Sequence, residues 1–92
     1  MHVTKLTYNI YNYIKSTPRG IASTTEIAEA VQKQRGAIEH TLKALHSSGV
    51  LKRHNTRPFQ YSIPTLLPSE AREIVNNIED AEAVYGNGGL GA

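Results

Sequence analysis

The spacing of the hydrophobic residues in this chain changes at Gly49. Before this position, apolar side chains recur every three or four residues, which places them on one face of an α-helix. After it come two short runs of β-strand character, residues 50–54 and 59–63, and the second has apolar residues at every other position. Residues 55–58 would join them as the tip of a hairpin. The sequence therefore predicts an α+β fold in which helices pack with a small β-hairpin.

Residues 5–16 form the first predicted helix, with Thr4 as its N-cap. Tyr8 and Tyr11 lie partly off its apolar face and are expected on a surface that meets a partner. A short extended piece follows at residues 21–22. The apolar residues of the helix have helical spacing and are assigned to the core: Leu6, Ile10, Tyr13 and Ile14.

A second and a third helix follow, separated by a polar turn at residues 32–34. Ser23 and Glu26 have the spacing of a capping box, so the second helix begins there and ends before the turn. The third helix covers residues 35–48 and stops at Gly49, because glycine commonly terminates helices. Its buried stripe consists of Ile38, Leu42 and Leu45.

The chain has 92 residues and no cysteine. This length suits one small domain, and the lack of cysteine removes disulfides, thiolate catalysis and cysteine-based zinc or iron–sulfur sites. Its apolar runs are too short to span a membrane, and its first residues lack the apolar core of a secretory signal. We therefore expect a cytoplasmic protein, associated with the nucleoid if it binds DNA.

The net charge of +2 conceals an uneven distribution. Residues 1–63 carry nine basic and three acidic side chains, a net charge of +6. Residues 64–92 carry one basic and five acidic side chains, a net charge of −4. This asymmetry predicts that the basic part binds a polyanion, whereas the acidic part serves assembly or a protein partner. The alternative is a solvated surface on which charges cluster by chance.

The order of elements resembles that of the winged helix-turn-helix family. The resemblance covers residues 5–63, and its most specific parts are residues 25–31 (TEIAEAV), 35–45 (RGAIEHTLKAL) and 49–53 (GVLKR). It implies a three-helix core with a β-hairpin wing over residues 1–63. It also implies sequence-specific binding to double-stranded DNA. Similar proteins are transcriptional regulators, often repressors, or plasmid- and virus-encoded proteins that bind a partition or replication site.

The resemblance implies that the third helix enters the major groove of DNA. Arg35 can bond guanine through two hydrogen bonds, Gln34 can read adenine or hold a phosphate, and Lys43 suits a phosphate. Glu39 can accept from cytosine or exclude other bases. In the alternative interpretation, Glu39 and Lys43 form only a surface ion pair. The candidate contacts on this helix and the preceding turn are Lys33, Gln34, Arg35, Gly36, Glu39, His40 and Lys43.

The wing supplies the second group of candidate DNA contacts: Arg53, Asn55, Thr56 and Arg57. Arg57 at the tip can enter a minor groove, since narrow A·T tracts attract arginine. Alternatively, these charges protect an edge strand from aggregation. The segment is also similar to winged domains that bind left-handed Z-form nucleic acid. Glu39 and Lys43 replace the asparagine and tyrosine of those domains, so Z-form binding is not favoured.

The acidic part of the chain is predicted to form one helix, residues 69–85, closed by Gly86 and followed by a flexible tail at residues 87–92. Its apolar stripe is too wide to face solvent, so it packs on its own domain or pairs with a second copy. We favour pairing, with residues 64–86 as the dimerisation segment and a palindromic DNA site that spans about 34 Å between reading helices. The proposed seam consists of Ala71, Ile74, Val75, Ile78, Ala81 and Tyr85.

No motif in the sequence indicates catalysis, a metal site or a cofactor. The four histidines include no pair at helical i,i+4 spacing, and no phosphate-binding glycine motif occurs. A core of this size also scarcely forms a deep pocket. We therefore expect no enzymatic activity, no metal and no cofactor. A winged helix that acts only as a protein–protein interaction module remains the alternative to DNA binding.

Overall fold

A computed structural model describes the backbone of residues 2–89 and the side chains of residues 2–86. The predicted α+β class is confirmed: helices pack with a three-stranded antiparallel sheet that has the order β1-β3-β2. The elements in chain order are α1 (Lys5–Ser16), β1 (Ile21–Ser23), α2 (Thr24–Val31), α3 (Arg35–Ser47), β2 (Lys52–His54), β3 (Gln60–Ser62), α4 (Ser69–Asp80) and α5 (Glu82–Gly89).

Helix α1 begins as predicted, because the Thr4 hydroxyl accepts a hydrogen bond from the Thr7 backbone N–H at 3.1 Å. Its buried face is wider than the sequence suggested. Tyr8 and Tyr11 are only 2% and 4% exposed, so the expectation that they face a partner is wrong. Leu6 and Tyr13, which were assigned to the core, are partly buried and pack against it. The two buried tyrosines show that other elements of this chain cover α1.

A complete capping box opens α2, as predicted. The Ser23 hydroxyl accepts from the Glu26 N–H at 3.1 Å, and the Glu26 carboxylate accepts from the Ser23 N–H at 2.9 Å. The hydrogen bonds from the Ser23 backbone and hydroxyl hold the pKa of Glu26 below its usual value. The stability that this carboxylate contributes is therefore present at neutral pH and is lost as the pH falls through its lowered pKa.

We expect Ser23→Ala to lower the free energy of unfolding by about 1 kcal/mol, the usual effect of losing an N-cap. Urea unfolding at neutral pH measures the change. Thr25→Ala is the matched control, since Thr25 is exposed in the same turn and its loss should change stability by less than about 0.5 kcal/mol. Equal stabilities of the two variants would show that the cap does not stabilise α2.

Gly49 ends α3 through a Schellman motif. The N–H of Val50 donates to the Leu45 carbonyl at 3.0 Å, and the N–H of Gly49 donates to the His46 carbonyl at 3.1 Å. Gly49 has a φ of +87°, a conformation that disfavours residues with a Cβ. A Cβ there would also lie 3.1 Å from Cγ of Pro68. The predicted stop is confirmed, and it directs the chain into the hairpin and brings α4 close.

The sheet is centred on β3, which pairs with β1 on one side and β2 on the other. Tyr61 lies opposite both Ala22 and Arg53, and its side chain is 5% exposed. The strands β2 and β3 are shorter than the predicted runs. Phe59 was predicted to begin the second strand, but it lies before the ladder and is 43% exposed, so this start is wrong.

Helix α4 packs on its own domain. Ala71 and Ile78 are fully buried, and Ile74 and Val75 are 7% and 6% exposed. They belong to one core cluster with Tyr8 and the apolar residues of α1, α2 and α3, and Ala81 and Tyr85 pack against that cluster partly buried. The seam predicted on this face is therefore wrong: the apolar stripe is covered within the chain and is not free for a second copy.

The predicted single helix at residues 69–85 is two helices. The first ends at Asp80, with Ala81 as its C-cap, and the second continues through Gly86 to Gly89. Gly86 is therefore not a helix stop. A Cβ at Gly86 would lie 3.0 Å from Oη of Tyr8, so glycine permits close packing of α5 on α1. Of the predicted tail at residues 87–92, residues 87–89 belong to α5 and residues 90–92 lie outside the described part.

Candidate nucleic-acid interface

One face of α3 is buried and the other is fully presented to solvent. Ile38, Leu42 and Leu45 have no exposed surface, as their spacing predicted. The side chains between them at helical spacing therefore point outward. All the candidate contacts on α3 and the preceding turn are exposed: Lys33, Gln34, Arg35, Gly36, Glu39, His40 and Lys43.

The turn before α3 leaves the first residues of that helix accessible. Gln32 adopts the left-handed conformation, with a φ of 58°, and thereby ends α2. Gln34 occupies the N-cap position of α3, but its side chain makes no capping hydrogen bond. No heavy atom lies within 4 Å of the Cβ position at Gly36. The start of α3 therefore offers its N–H groups and an unobstructed backbone to an approaching anion.

Glu39 forms an ion pair with Arg35 and not with Lys43, the partner in the alternative interpretation. The Nε of Arg35 lies 3.8 Å from Oε1 of Glu39, and both side chains are more than half exposed. An exposed i,i+4 pair of this kind contributes only a few tenths of a kcal/mol. The pair therefore orients Arg35 on the surface but costs little to exchange for a phosphate or a base.

The hairpin tip, residues 55–59, is held by its own hydrogen bonds. The N–H of Thr56 donates to the His54 carbonyl and its hydroxyl donates to the Pro58 carbonyl, both at 2.8 Å. These bonds use the Thr56 hydroxyl within the turn. Asn55 and Arg57 are exposed beside it. The tip therefore presents the Arg57 guanidinium from a hydrogen-bonded turn.

Arg53, a predicted DNA contact, stacks on an aromatic ring. Its guanidinium carbon lies 4.6 Å from the centroid of the Phe59 ring, which is a cation–π contact. Arg53 is partly buried, whereas the other predicted contacts of the hairpin are exposed. Its charge remains near the surface, but its position is set by Phe59.

A cavity of about 360 Å³ lies between the start of α3 and the hairpin tip. It brings together five of the predicted contacts, Arg35, Glu39, Asn55, Thr56 and Arg57. The remaining predicted contacts do not line it: Lys33, Gln34, Gly36, His40, Lys43 and Arg53. Two segments that are distant in sequence thus share one concave surface that carries two arginines.

Three residues that line this cavity were not predicted as contacts: Thr24, Pro58 and Phe59. Thr24 positions the end of the tip, because its N–H donates to the Phe59 carbonyl at 3.0 Å and its hydroxyl lies 3.3 Å from the same oxygen. The sequence contained one relevant signal, since a proline directly before Phe59 removes a ladder donor and favours the end of strand pairing.

The acidic part of the chain lies away from this cavity. Its exposed carboxylates are on α4 and at the start of α5, and Glu79 of α4 lies 3.7 Å from the Lys15 ammonium of α1. No described residue of α4 or α5 lines the cavity. Burial raises the pKa of Tyr11 beneath α4, and Glu79 adds to this rise while Arg72 opposes it. The basic cavity and the acidic helix are thus distinct surfaces.

Two of the histidines make separate hydrogen bonds. Nδ1 of His46 lies 3.3 Å from the Leu51 carbonyl, and Nε2 of His54 lies 2.8 Å from the Ser62 hydroxyl. Among residues 2–89, no three or more histidine or carboxylate side chains are placed to hold a metal ion. Within the same range, no helix combines the length and the apolar composition needed to cross a membrane.

No protein-family model and no curated protein sequence matches this chain.

Proposed function

We propose that this chain is a winged helix-turn-helix protein that binds double-stranded DNA sequence-specifically and regulates transcription as a repressor. In this proposal, α3 enters the major groove, and the β2–β3 hairpin is the wing that contacts the backbone and the adjacent minor groove. One observation carries the proposal. Arg35 of α3 and Arg57 of the wing line one cavity, on the side of α3 opposite its buried stripe.

The arrangement of elements supports this proposal. Helices α2 and α3 are joined by a three-residue turn and followed at once by a hairpin, the layout in which a second helix reads DNA while a wing lies beside it. The charge distribution agrees, because DNA attracts the +6 part of the sequence and repels the −4 part. A plasmid or viral protein that binds a partition or replication site on DNA would need the same surface.

We propose that the protein binds a palindromic site as a homodimer. A DNA-binding domain of this size contacts few base pairs, and a two-fold symmetric dimer doubles the length of DNA that is contacted. The dimer contact does not involve the buried stripe of α4. The exposed acidic face of α4 is then available to a protein partner.

Salt dependence of duplex binding tests the proposal. We expect the full chain to bind a fluorescein-labelled random duplex of about 20 base pairs in an anisotropy titration at 50 mM salt. If about four phosphates are neutralised, the affinity falls about 150-fold between 50 and 200 mM salt. Selection from random duplexes then identifies the preferred sequence.

Failure to bind duplex at 50 mM salt would contradict DNA binding and favour the protein–protein module. Binding that does not change with salt would contradict the proposed phosphate contacts.

A further inference from the structure

The cavity between α3 and the wing is larger than a phosphate contact requires. An arginine–phosphate contact needs only hydrogen-bond distances at a surface, whereas clefts and cavities that bind organic ligands have volumes from about 300 Å³. The cavity measures about 360 Å³. The bases of an intact duplex stay stacked inside the double helix. A nucleotide can therefore enter this cavity only when it is unpaired.

We propose that this cavity receives one unpaired nucleotide of the bound DNA, a proposal that rests on the DNA binding proposed above. The base lies against the Phe59 ring, and its exocyclic amine donates to the Glu39 carboxylate. Arg35 and Arg57 contact the phosphates that flank this nucleotide. The protein therefore prefers duplexes with a single unpaired amino base, such as cytosine, over fully paired DNA.

Phe59 is placed as a stacking surface. It is the only phenylalanine of the chain, and its side chain is 43% exposed. Its backbone is anchored to Thr24 of α2, and the guanidinium of Arg53 lies over its ring. Arg53 does not line the cavity, so the part of Phe59 that borders the cavity remains available to a base. Aromatic side chains of this kind stack on bases of any sequence.

Glu39 adds selectivity among bases. A carboxylate accepts hydrogen bonds through two oxygens, and the ion pair with Arg35 involves only Oε1. Cytosine and adenine offer an exocyclic amine to such an acceptor, whereas thymine offers only a carbonyl at the corresponding position. The cavity wall therefore favours an unpaired cytosine over an unpaired thymine.

Four labelled duplexes of about 14 base pairs test this inference by anisotropy at 50 mM salt. One is fully paired, and the others carry a central unpaired cytosine, an unpaired thymine or an abasic residue. The abasic duplex has the same break in pairing but no base. We expect the cytosine duplex to bind about tenfold more tightly than the abasic duplex, and about threefold more tightly than the thymine duplex.

Two variants assign the effect to named side chains. Phe59→Leu should remove most of the advantage of cytosine over the abasic residue, and its far-ultraviolet circular dichroism should match that of the wild type. Glu39→Ala should remove the preference for cytosine over thymine. Lys43→Ala, outside the cavity, should weaken binding to all four duplexes by the same factor.

Equal affinity of the wild type for the cytosine and abasic duplexes would overturn the inference while leaving DNA binding intact. A cytosine advantage that survives Phe59→Leu would overturn the stacking role of Phe59, and equal affinity for cytosine and thymine would overturn the role of Glu39. Failure to bind any of the four duplexes would instead contradict the proposed function.

Discussion

Ile78→Ala is expected to lower the free energy of unfolding by about 3 kcal/mol, within the range for truncating a buried isoleucine. Ile78 has no exposed surface and belongs to the same core cluster as Tyr8 of α1 and the buried stripe of α3. Its truncation leaves a cavity beneath α4 that rigid neighbours fill only in part. In a domain of this size, such a loss is a large share of the total stability.

Urea unfolding of the wild type and Ile78→Ala at two protein concentrations, about fiftyfold apart, measures this effect. Asn77→Ala is the matched control, because Asn77 is the exposed neighbour of Ile78 on α4 and its truncation should change stability by less than about 0.5 kcal/mol. The packing of α4 is intramolecular, so the difference between Ile78→Ala and the wild type should be the same at both concentrations. A difference that grows with protein concentration would instead place Ile78 in a contact between copies.

Replacing both Arg35 and Arg57 by alanine is expected to weaken duplex binding about 100-fold at 50 mM salt. The two arginines line the same cavity in the proposed interface, where each neutralises about one phosphate. The slope of log affinity against log salt should therefore decrease by about 1.8 in magnitude, since each lost contact removes about 0.9. Anisotropy titrations across 50–200 mM salt give both quantities.

Arg72→Ala provides the matched control for this pair. It removes the same charge from an exposed position on α4, outside the proposed interface. Its effect on affinity should be less than twofold. If Arg72→Ala weakens binding as strongly as one of the two interface arginines, binding follows overall charge and not the surface of α3 and the wing.

Local sequence signals predicted most of the fold. The capping box at Ser23 and Glu26 placed the start of α2, and Gly49 placed the end of α3. Such signals are reliable because the hydrogen bonds that they describe form between residues close in sequence. The stripe of α3 likewise fixed which of its faces is exposed, and with it the candidate contacts on that helix.

Local sequence signals did not predict the surface on which the apolar stripe of α4 packs. An apolar stripe shows that a helix must be covered, but the same stripe suits the chain's own core or a second copy. The decision depends on Tyr8 and Tyr11, which complete the core only when α4 and α5 lie on α1. Because that packing is long-range, the spacing within either helix does not report it.

The sequence also did not predict that the residues of α3 and the hairpin tip line one cavity. Arg35 and Arg57 were each identified as a contact, but the cavity that both line depends on how the hairpin folds beside the start of α3. Phe59 was misplaced because its alternation with Tyr61 resembles a continuous strand. The ladder begins only at Gln60. Phe59 therefore belongs to the hairpin tip, and the alternation of side chains along the strand does not determine its orientation.

Backbone amide chemical shifts of the full chain, followed by NMR during titration with duplex DNA, test the central claim most directly. If α3 and the wing form the interface, the largest changes occur at residues 33–43 and 53–59, and the exposed face of α4 changes little. The same pattern should weaken as salt is raised from 50 to 200 mM. Changes concentrated on α4 and α5, or no changes at 50 mM salt, would contradict the account.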